Sequence, residues 1–316
     1  MKTVVCGVWH VHAPQYTEAA FKYTDVIGAY DPDPLKLKAF CDKTGVKAYD
    51  SFEELVSAGA DSAIVCSSTD LHADLIVKLA EAGIDIFTEK VLALTVEDCE
   101  RIRAAVKSSG VRFVISLPQK SYAAPLTVKR IADSGKIGRI NYVRFRNCHS
   151  GSTGNWLPPH FYSEKECGGG AMIDLGAHGM YLIDWLLGEP ESYTSVFRTA
   201  CDKPDNLVKN KDRVEDNAVT VMGYKNGAIA VNETGFVSGN APQILEVGGE
   251  LGTVRAVNGK VFLSILGSKG DDPIELDASI PEPIIQFLTN DVRDGFGIDE
   301  ACRLTKMMVG AYNNVH

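Results

Sequence analysis

The first 115 residues alternate short apolar runs with amphipathic segments, and this alternation constrains the fold more than any other feature. Five apolar runs have the length of buried β-strands: Thr3–Cys6, Val26–Tyr30, Ala63–Cys66, Ile84–Phe87 and Val111–Ile115. Glycines follow the helical patterns between them, where a left-handed helix cap is expected. Strands that alternate with helices pair in parallel, so we predict a doubly wound α/β sheet.

The pattern changes after about residue 120. A polar, aromatic-rich loop at 149–167 precedes a long helical pattern, Gly170–Leu187, and strand-like runs follow to about residue 265. The pairs Asn226-Gly227 and Asn258-Gly259 are strong hairpin turn signals. We therefore predict a second α/β domain with a large, mostly antiparallel open sheet that helices cover on one face. The predicted domains are residues 1–120 and residues 121–316.

Composition limits the partners of this 316-residue chain. The formal charge is −9 and no basic run stands out, so we expect neither nucleic acid nor a membrane surface as a partner. The N-terminus lacks the features of a signal peptide, and no stretch approaches the roughly 18 apolar residues of a membrane span. Eight scattered cysteines without a C-x-x-C pair favour a cytoplasmic location.

The first strand–helix turn has the sequence C-G-V-W-H-V-H-A, where a dinucleotide-binding fold carries G-x-G-x-x-G. Gly7 holds the first position, while Trp9 and His12 occupy the positions of the other two glycines. We expect Trp9 and His10 to lie against a dinucleotide, with backbone N–H groups from Trp9 to Val11 at its pyrophosphate. The alternative is an ordinary turn with a buried tryptophan.

The pair His10-x-His12 also suggests a second class of protein. Metal-dependent amidohydrolases begin their metal site with alternate histidines at a strand end, because alternate residues project the same way. Such a barrel needs eight parallel units across the whole chain, which the hairpin-rich second half contradicts. The sequence therefore predicts no metal site.

Polar residues follow three of the predicted strands. Asp31 comes about 20 residues after the glycine turn, where a carboxylate accepts bonds from ribose hydroxyls and favours NAD over NADP. The hydroxyl residues Ser67, Ser68 and Thr69 are placed either to line a cofactor cleft or to cap a helix. Lys90 ends another strand, where a lysine binds a reacting hydroxyl or lies at the surface in an ion pair.

The segment C-G-G-G-A-M-I-D-L-G-A-H gives the most information about chemistry. Asp174 and His178 are four residues apart and so share one helical face. A carboxylate beside an imidazole suits a general base, although a helix-surface ion pair has the same spacing. In the preceding loop, Trp156 and His160 lie among polar and aromatic residues. Such a loop suits recognition of a sugar ring, or it packs on its own aromatic residues.

These segments together resemble the glucose–fructose oxidoreductase/inositol dehydrogenase (GFO/IDH/MocA) family over nearly the whole chain. Glu89-Lys90 matches its Glu-Lys-Pro signature, with Val91 in place of proline, and Thr69 and His72 match a second stretch. The resemblance implies a Rossmann domain followed by an α/β domain whose open sheet commonly forms dimers or tetramers. It also implies that Lys90 and His178 are the catalytic pair.

The same resemblance implies roles for the remaining residues. Asp174 would hold substrate hydroxyls or orient His178, Gln119 would neighbour the nicotinamide, and His72 and Glu89 would contribute to the cofactor site. The expected activity is hydride transfer between NAD and a secondary hydroxyl of a sugar, cyclitol or related polyol. Two alternatives remain open: an NAD-retaining enzyme that cleaves glycosides by transient oxidation and elimination, and a non-catalytic NAD-binding regulator.

Overall fold

A computed structural model describes residues 1–201, 210–268 and 270–316 of the chain. These residues form two compact units. The N-terminal unit comprises Met1–Ser116 and Pro281–Thr305, and the C-terminal unit comprises Leu117–Ile280 and Lys306–His316. The N-terminal unit thus includes residues 281–305, a segment that the sequence analysis assigned to the second domain.

The N-terminal unit contains the predicted parallel sheet. Its strands are β1 (Lys2–Cys6), β2 (Asp25–Tyr30), β3 (Ser62–Val65), β4 (Asp85–Thr88) and β5 (Phe113–Ile115), in the order β2-β1-β3-β4-β5. All four pairings are parallel. The strand order reverses between β1 and β3, and doubly wound sheets bind ligands at the carboxyl ends of strands at such a reversal.

Five helices connect these strands: α1 (Ala13–Tyr23), α2 (Pro34–Thr44), α3 (Phe52–Ser57), α4 (His72–Glu81) and α5 (Val96–Ser109). Side chains of Asp33, Ser51 and Thr95 accept backbone N–H bonds at three of their N-termini. Left-handed Gly45 and Gly110 end α2 and α5, as predicted. Capping groups therefore set the helix boundaries where the sequence indicated them.

The segment 281–305 belongs to the N-terminal unit because its apolar residues pack there. Helix α9 (Pro283–Thr289) buries Phe287 completely, with its ring centroid 5.9 Å from that of Phe87 on β4. Farther along, the carbonyl of Phe296 accepts a bond of 2.9 Å from the N–H of Ile115 on β5. An amphipathic pattern shows that a helix needs an apolar partner without showing which sheet supplies it.

The C-terminal unit contains an eight-stranded sheet. Its strands are β6 (Ile140–Cys148), β7 (Ser192–Arg198), β8 (Asn217–Gly223), β9 (Ile229–Gly235), β10 (Ile244–Gly249), β11 (Gly252–Val257), β12 (Lys260–Ile265) and β13 (Asp272–Ile274). Their order is β13-β12-β11-β10-β6-β9-β8-β7, and only the β6–β9 pairing among these strands is parallel. The mostly antiparallel sheet is confirmed. The short edge strand β13 was not predicted, and it contains Pro273, which strand patterns disfavour.

Helices α6 (Ala123–Asp133), α7 (Glu164–Cys167) and α8 (Ala177–Leu187) accompany this sheet, and α10 (Ile298–Tyr312) ends the chain. The long helix predicted from Gly170 begins with a π-helical turn at Met172–Gly176, which leads directly into α8. Gly179 lets α8 approach the sheet closely, because a Cβ there would lie 2.1 Å from Oδ1 of Asn232 on β9. In the described part of the chain, every helix is too short or too polar to cross a lipid bilayer.

Candidate active site

The turn after β1 lies at the reversal of strand order, and its conformation requires glycine. Gly7 has a φ of +84° and donates its N–H to the carbonyl of Tyr30 at 2.7 Å. A Cβ at Gly7 would lie 2.4 Å from Cα of Ser67, in the loop after β3. The first glycine of the predicted turn is therefore needed for both its φ and the close approach of two loops.

Asp31 holds the same turn from the end of β2. Its buried carboxylate accepts bonds from the N–H of Val8 at 2.7 Å and of Asp33 at 2.9 Å. Burial raises the pKa of Asp31, and these two backbone bonds act in the opposite direction. The carboxylate predicted to bind a ribose thus also fixes the glycine turn.

The backbone of the turn differs from the expected set of pyrophosphate donors. The N–H of His10 donates to the carbonyl of Cys66 at 2.9 Å, and the N–H of His12 donates to Nδ1 of His10 at 3.2 Å. The prediction that the N–H groups from Trp9 to Val11 all face a pyrophosphate therefore does not hold for His10. Where two glycines are replaced by Trp9 and His12, the turn thus forms one hydrogen bond to the residue after β3 and one within itself.

The loop after β3 holds the predicted hydroxyl residues and His72. Ser67 and Ser68 are buried, and Ser68 Oγ donates to the carboxylate of Asp70 rather than capping the short 3₁₀ turn Thr69–Leu71. The ring nitrogens of His72 lie 3.2 Å from the carbonyl of Leu92 and 3.3 Å from that of Ser67. Burial lowers the pKa of His72. A neutral His72 therefore joins the segments that follow β3 and β4.

Glu89, at the end of β4, lies at the centre of a buried polar cluster. Its carboxylate accepts a short bond from the Tyr16 hydroxyl and lies 2.8 Å from Nδ1 of His12 and 3.8 Å from Nδ1 of His10. The nearby imidazoles oppose the burial of Glu89 and hold its pKa well below the usual range. Burial and the Glu89 charge raise the pKa of Tyr16. Glu89 was predicted to belong to the cofactor site, but its contacts with these side chains were not predicted.

Lys90 follows directly, at the carboxyl end of an internal strand as predicted. The residue is 9% exposed, its N–H donates to Oε2 of Glu89 at 3.1 Å, and the peptide bond to Val91 is cis. The structure thus places Lys90 in the same unit as the Gly7 turn and Asp31. A largely buried ammonium at a strand end is suited to bind a hydroxyl oxygen.

In the C-terminal unit, His178 contacts a tyrosine. Nδ1 of His178 lies 2.8 Å from the hydroxyl of Tyr181, one turn farther along α8. That hydroxyl oxygen accepts the backbone N–H of Gln119 at 3.0 Å. The predicted residues Gln119 and His178 are therefore joined through Tyr181, which the sequence analysis did not select. An imidazole whose Nδ1–H donates to the tyrosine oxygen has an unprotonated Nε2, as a general base requires.

Asp174 acts electrostatically on a second imidazole that the sequence analysis did not select, His149. Burial lowers the pKa of His149, while the charge of Asp174 opposes this effect. The His149 ring stacks on Phe236 at 5.0 Å and 9°, and the ring of Trp156 lies 4.7 Å from it. Trp156 is 56% exposed, so its face is available beside this imidazole. Asp174, His149 and Trp156 together form a group of polar and aromatic side chains.

The rest of the aromatic loop is packed on itself. Leu157, Phe161 and Tyr162 form an apolar cluster with Phe236, and Leu175 from the π-helical turn packs against it. The ring of His160 lies 4.8 Å from that of Phe161. The backbone carbonyl of His160 accepts the N–H of Ser163 at 3.2 Å. The second half of the loop thus packs on its own aromatic residues, which is one of the two interpretations left open. The first half contains the exposed aromatic surface beside His149, which the other interpretation, recognition of a sugar ring, requires.

The glycine run before the π-helical turn is held by a buried carboxylate, Glu215. Its Oε1 accepts the N–H of Gly170 at 3.0 Å and of Met172 at 2.9 Å, and the hydroxyl of Tyr312 at 2.7 Å. Burial raises the pKa of Glu215, against the effect of these bonds. A Cβ at Gly170 would lie 2.0 Å from the carbonyl oxygen of Glu215. Glu215 therefore fixes the start of the helical segment that carries Asp174 and His178.

Two family models match most of the chain. Residues 1–117 match an oxidoreductase family with an NAD-binding Rossmann fold, and residues 126–255 match the GFO/IDH/MocA C-terminal domain. The two matches correspond to the parallel sheet with its helices and to the segment from α6 to β11.

Curated relatives and a solved structure give the same assignment. The chain is 29% identical over 239 residues to inositol 2-dehydrogenase of Rhizobium meliloti (strain 1021), over 74% of this chain and 68% of that protein. It is 29% identical over 232 residues to scyllo-inositol 2-dehydrogenase (NAD(+)) of Bacillus subtilis (strain 168), over 71% of this chain and 65% of that protein. The aldose-aldose oxidoreductase from Caulobacter crescentus, solved with glycerol, has the same fold, with a TM-score of 0.82 at 18% identity over 99% of this chain and 97% of that one.

The parallel sheet with its glycine turn, the glycine-run helix and the matches to both domains lead to one assignment. The chain belongs to the GFO/IDH/MocA family of oxidoreductases, and NAD is the cofactor of its Rossmann domain.

Proposed function

We propose that this oxidoreductase transfers a hydride between NAD and a secondary hydroxyl of a sugar, cyclitol or related polyol. The observation that carries the proposal is the hydrogen-bonded set Gln119–Tyr181–His178, because it holds an imidazole at the start of the glycine-run helix. The names of the relatives, which are inositol dehydrogenases, support the same class of substrate.

The residues around the N-terminal sheet fit NAD. Asp31 is fixed at the end of β2 beside the Gly7 turn, and a carboxylate there suits ribose hydroxyls and disfavours a 2′-phosphate. The cofactor supplies the hydride acceptor or donor. We assign the cofactor site to the side chain of Asp31, the Gly7 turn, and the loops that contain Ser67–Thr69 and Glu89–Lys90.

Each catalytic side chain has a separate task in this proposal. His178 takes the proton of the substrate hydroxyl at Nε2 while Tyr181 holds Nδ1. Lys90, in the N-terminal unit, is assigned the stabilisation of negative charge on a hydroxyl oxygen. Asp174, His149 and Trp156 bind the remaining hydroxyls and one face of the ring. A non-catalytic regulator has no use for a base held in this way, so the arrangement around His178 favours an enzyme over a regulator.

The first test is turnover of a panel of inositols, aldoses and sugar acids with NAD, monitored by formation of NADH. Removing a general base lowers the rate by about 10²–10⁴-fold, so we expect a loss of this size in kcat for His178→Ala. The control His316→Ala removes an exposed imidazole and should leave kcat unchanged. Full activity in His178→Ala would refute the assigned base. Release of a leaving group without net NADH would instead indicate glycoside cleavage.

Tyr181→Phe tests the observation on which the proposal rests. The variant removes the hydrogen bonds to His178 and Gln119. Each is worth about 1 kcal/mol, so kcat should fall by about 5-fold to about 30-fold while KM changes little. The pH at which kcat/KM reaches half its maximum should also shift, because Tyr181 contacts the titrating imidazole. The matched control is Tyr23→Phe, whose hydroxyl is on an exposed residue of α1. An unchanged pH profile in Tyr181→Phe would show that the tyrosine has no part in proton transfer.

A further inference from the structure

The pair His10-x-His12 was set aside in the sequence analysis because the barrel it suggested does not fit the chain. The fold is indeed a doubly wound sheet, but it brings a third potential ligand to the pair. Glu89 at the end of β4 lies 77 residues from His12 in sequence, and their side chains are 2.8 Å apart. Hydride transfer as proposed above makes no use of these three side chains together.

The positions of three donor atoms suit a small cation. One ring nitrogen of His10, one of His12 and a carboxylate oxygen of Glu89 all lie within 4.8 Å of one another. Neighbouring ligands of a tetrahedral zinc ion are about 3.3 Å apart, given metal–ligand bonds of about 2.0–2.1 Å. The observed separations of 2.8 Å for His12–Glu89 and 3.8 Å for His10–Glu89 lie on either side of that value. Both separations are thus within about 0.6 Å of the zinc value.

The surroundings also suit metal ligands. Nδ1 of His10 accepts the N–H of His12 at 3.2 Å, so this nitrogen carries no proton, and an ion would take the lone pair in place of that hydrogen bond. Tyr16 donates to the Glu89 carboxylate and lies 3.0 Å from Oγ of Ser116, so the carboxylate is held by an outer partner. The side chain of His12 is 43% exposed, which gives an ion a route from solvent.

We propose that His10, His12 and Glu89 bind a divalent transition-metal ion, and that Zn²⁺ is the ion that this set favours. Two imidazoles and one carboxylate are a ligand set that zinc accepts, with a fourth position left for water or another small ligand. The ion would lie between His12 and Glu89 and would link the turn after β1 to the end of β4.

The test uses Co²⁺ as a spectroscopic substitute for Zn²⁺ on the full-length protein after treatment with a chelator. We expect one equivalent of Co²⁺ to give the intense visible bands of a four-coordinate site, and Zn²⁺ to abolish them. His12→Ala removes a ligand and should weaken Co²⁺ binding by more than the about 10–100-fold expected for an outer partner. Tyr16→Phe removes that outer partner and should weaken binding by about 10–100-fold.

The control variants His316→Ala and Glu53→Gln alter exposed residues of the same types and should bind Co²⁺ as the unmodified protein does. Glu89→Gln removes the carboxylate ligand and should weaken Co²⁺ binding as His12→Ala does. If Glu89→Gln does not fold, His12→Ala decides the question alone, because His12 is half-exposed. A silent spectrum, or Co²⁺ binding in His12→Ala that equals the unmodified protein, would overturn the proposal. Because the spectrum reports the metal alone, this result is independent of whether the enzyme oxidises a polyol.

Discussion

Gly7 shows how one residue sets the geometry of the cofactor turn. Any other residue at this position takes on a left-handed conformation, at a cost of about 1–2 kcal/mol, and also meets the backbone of Ser67 at 2.4 Å. Gly83 is a matched comparison, with a φ of +74° and no atom within 4 Å of the position that a Cβ would occupy. A substitution at Gly83 therefore has only the conformational cost, whereas a substitution at Gly7 has both the conformational and the steric cost.

We expect Gly83→Ala to lower the free energy of unfolding by about 1–2 kcal/mol and to leave NADH affinity unchanged. Gly7→Ala should destabilise the protein more and should weaken NADH binding at least about tenfold, which corresponds to about 1.4 kcal/mol. Thermal unfolding and NADH fluorescence titration provide the two measurements. If both variants lose stability equally and bind NADH equally well, the contact between the two loops has no role in cofactor binding.

His72 links proton binding to stability in the N-terminal unit. Burial lowers its pKa in the folded state, whereas an unfolded histidine has a pKa of about 6.5. Between these two pKa values the unfolded chain binds more protons than the folded chain. The free energy of unfolding therefore falls as the pH drops below about 6.5, by at most about 1.4 kcal/mol per pH unit for this one group.

His72→Asn should make this pH dependence shallower, since asparagine does not titrate. Urea unfolding at about pH 7.5 and about pH 5.5 would measure the difference. Some dependence should remain, because burial also lowers the pKa of His149 in the other unit. His316→Ala serves as the control and should keep the original slope. An unchanged slope in His72→Asn would show that His72 is not buried in its neutral form.

At the scale of elements, the start of the glycine-run helix depends on Glu215. Glu215→Ala would leave the N–H groups of Gly170 and Met172 and the hydroxyl of Tyr312 without this acceptor. An unsatisfied buried polar group costs about 1–3 kcal/mol, so we expect a loss of at least that size in the free energy of unfolding. The value of kcat should fall as well, because the same helix carries His178.

Glu215→Gln keeps an acceptor oxygen and should lose less stability than Glu215→Ala. Glu191→Ala alters an exposed carboxylate and should change neither quantity. Thermal unfolding measures the stability of each variant, and kcat reports whether His178 is still held in place. Equal stability of Glu215→Ala and the unmodified protein would mean that the three hydrogen bonds do not hold the helix in place.

The elements themselves could be predicted because their signals are local. Apolar runs indicated the five parallel strands, and Asn258-Gly259 adopts positive φ at the turn between β11 and β12, as its sequence indicated. The π-helical turn at Met172–Gly176 was not predicted, because its hydrogen-bond spacing leaves no signal in side-chain periodicity. Tyr181 was within reach, since it lies three residues after His178 and therefore on the same helical face.

At the scale of the whole molecule, contacts between distant segments could not be predicted. Glu89 meets His12 across 77 residues, and Gln119 meets Tyr181 across 62. A single sequence shows which reactive side chains are present. Their spacing along the chain does not show which of them lie close together in the folded protein. The same limit explains why residues 281–305 were assigned to the second domain, although they belong to the N-terminal unit.

The open face of the eight-stranded sheet has apolar residues that face solvent. Val196 on β7 pairs with Val219 on β8, and they are 47% and 36% exposed. Val221, two residues farther along β8, is 39% exposed, and Ile229 on β9 is 48% exposed. Apolar side chains grouped on adjacent strands of a sheet face are a recognised feature of association surfaces. We propose that a second copy of the chain covers this face.

The prediction is that light scattering coupled to size-exclusion chromatography detects a dimer or a tetramer. The double variant Val221→Asp with Ile229→Asp places two charges on the face, and a charge buried without a partner is costly, so the protein should elute as a monomer. Leu35→Asp is the control, because Leu35 is 78% exposed on α2 in the N-terminal unit, and it should keep the oligomeric state. A monomeric unmodified protein, or an oligomer that survives both charges, would show that this face is not the interface.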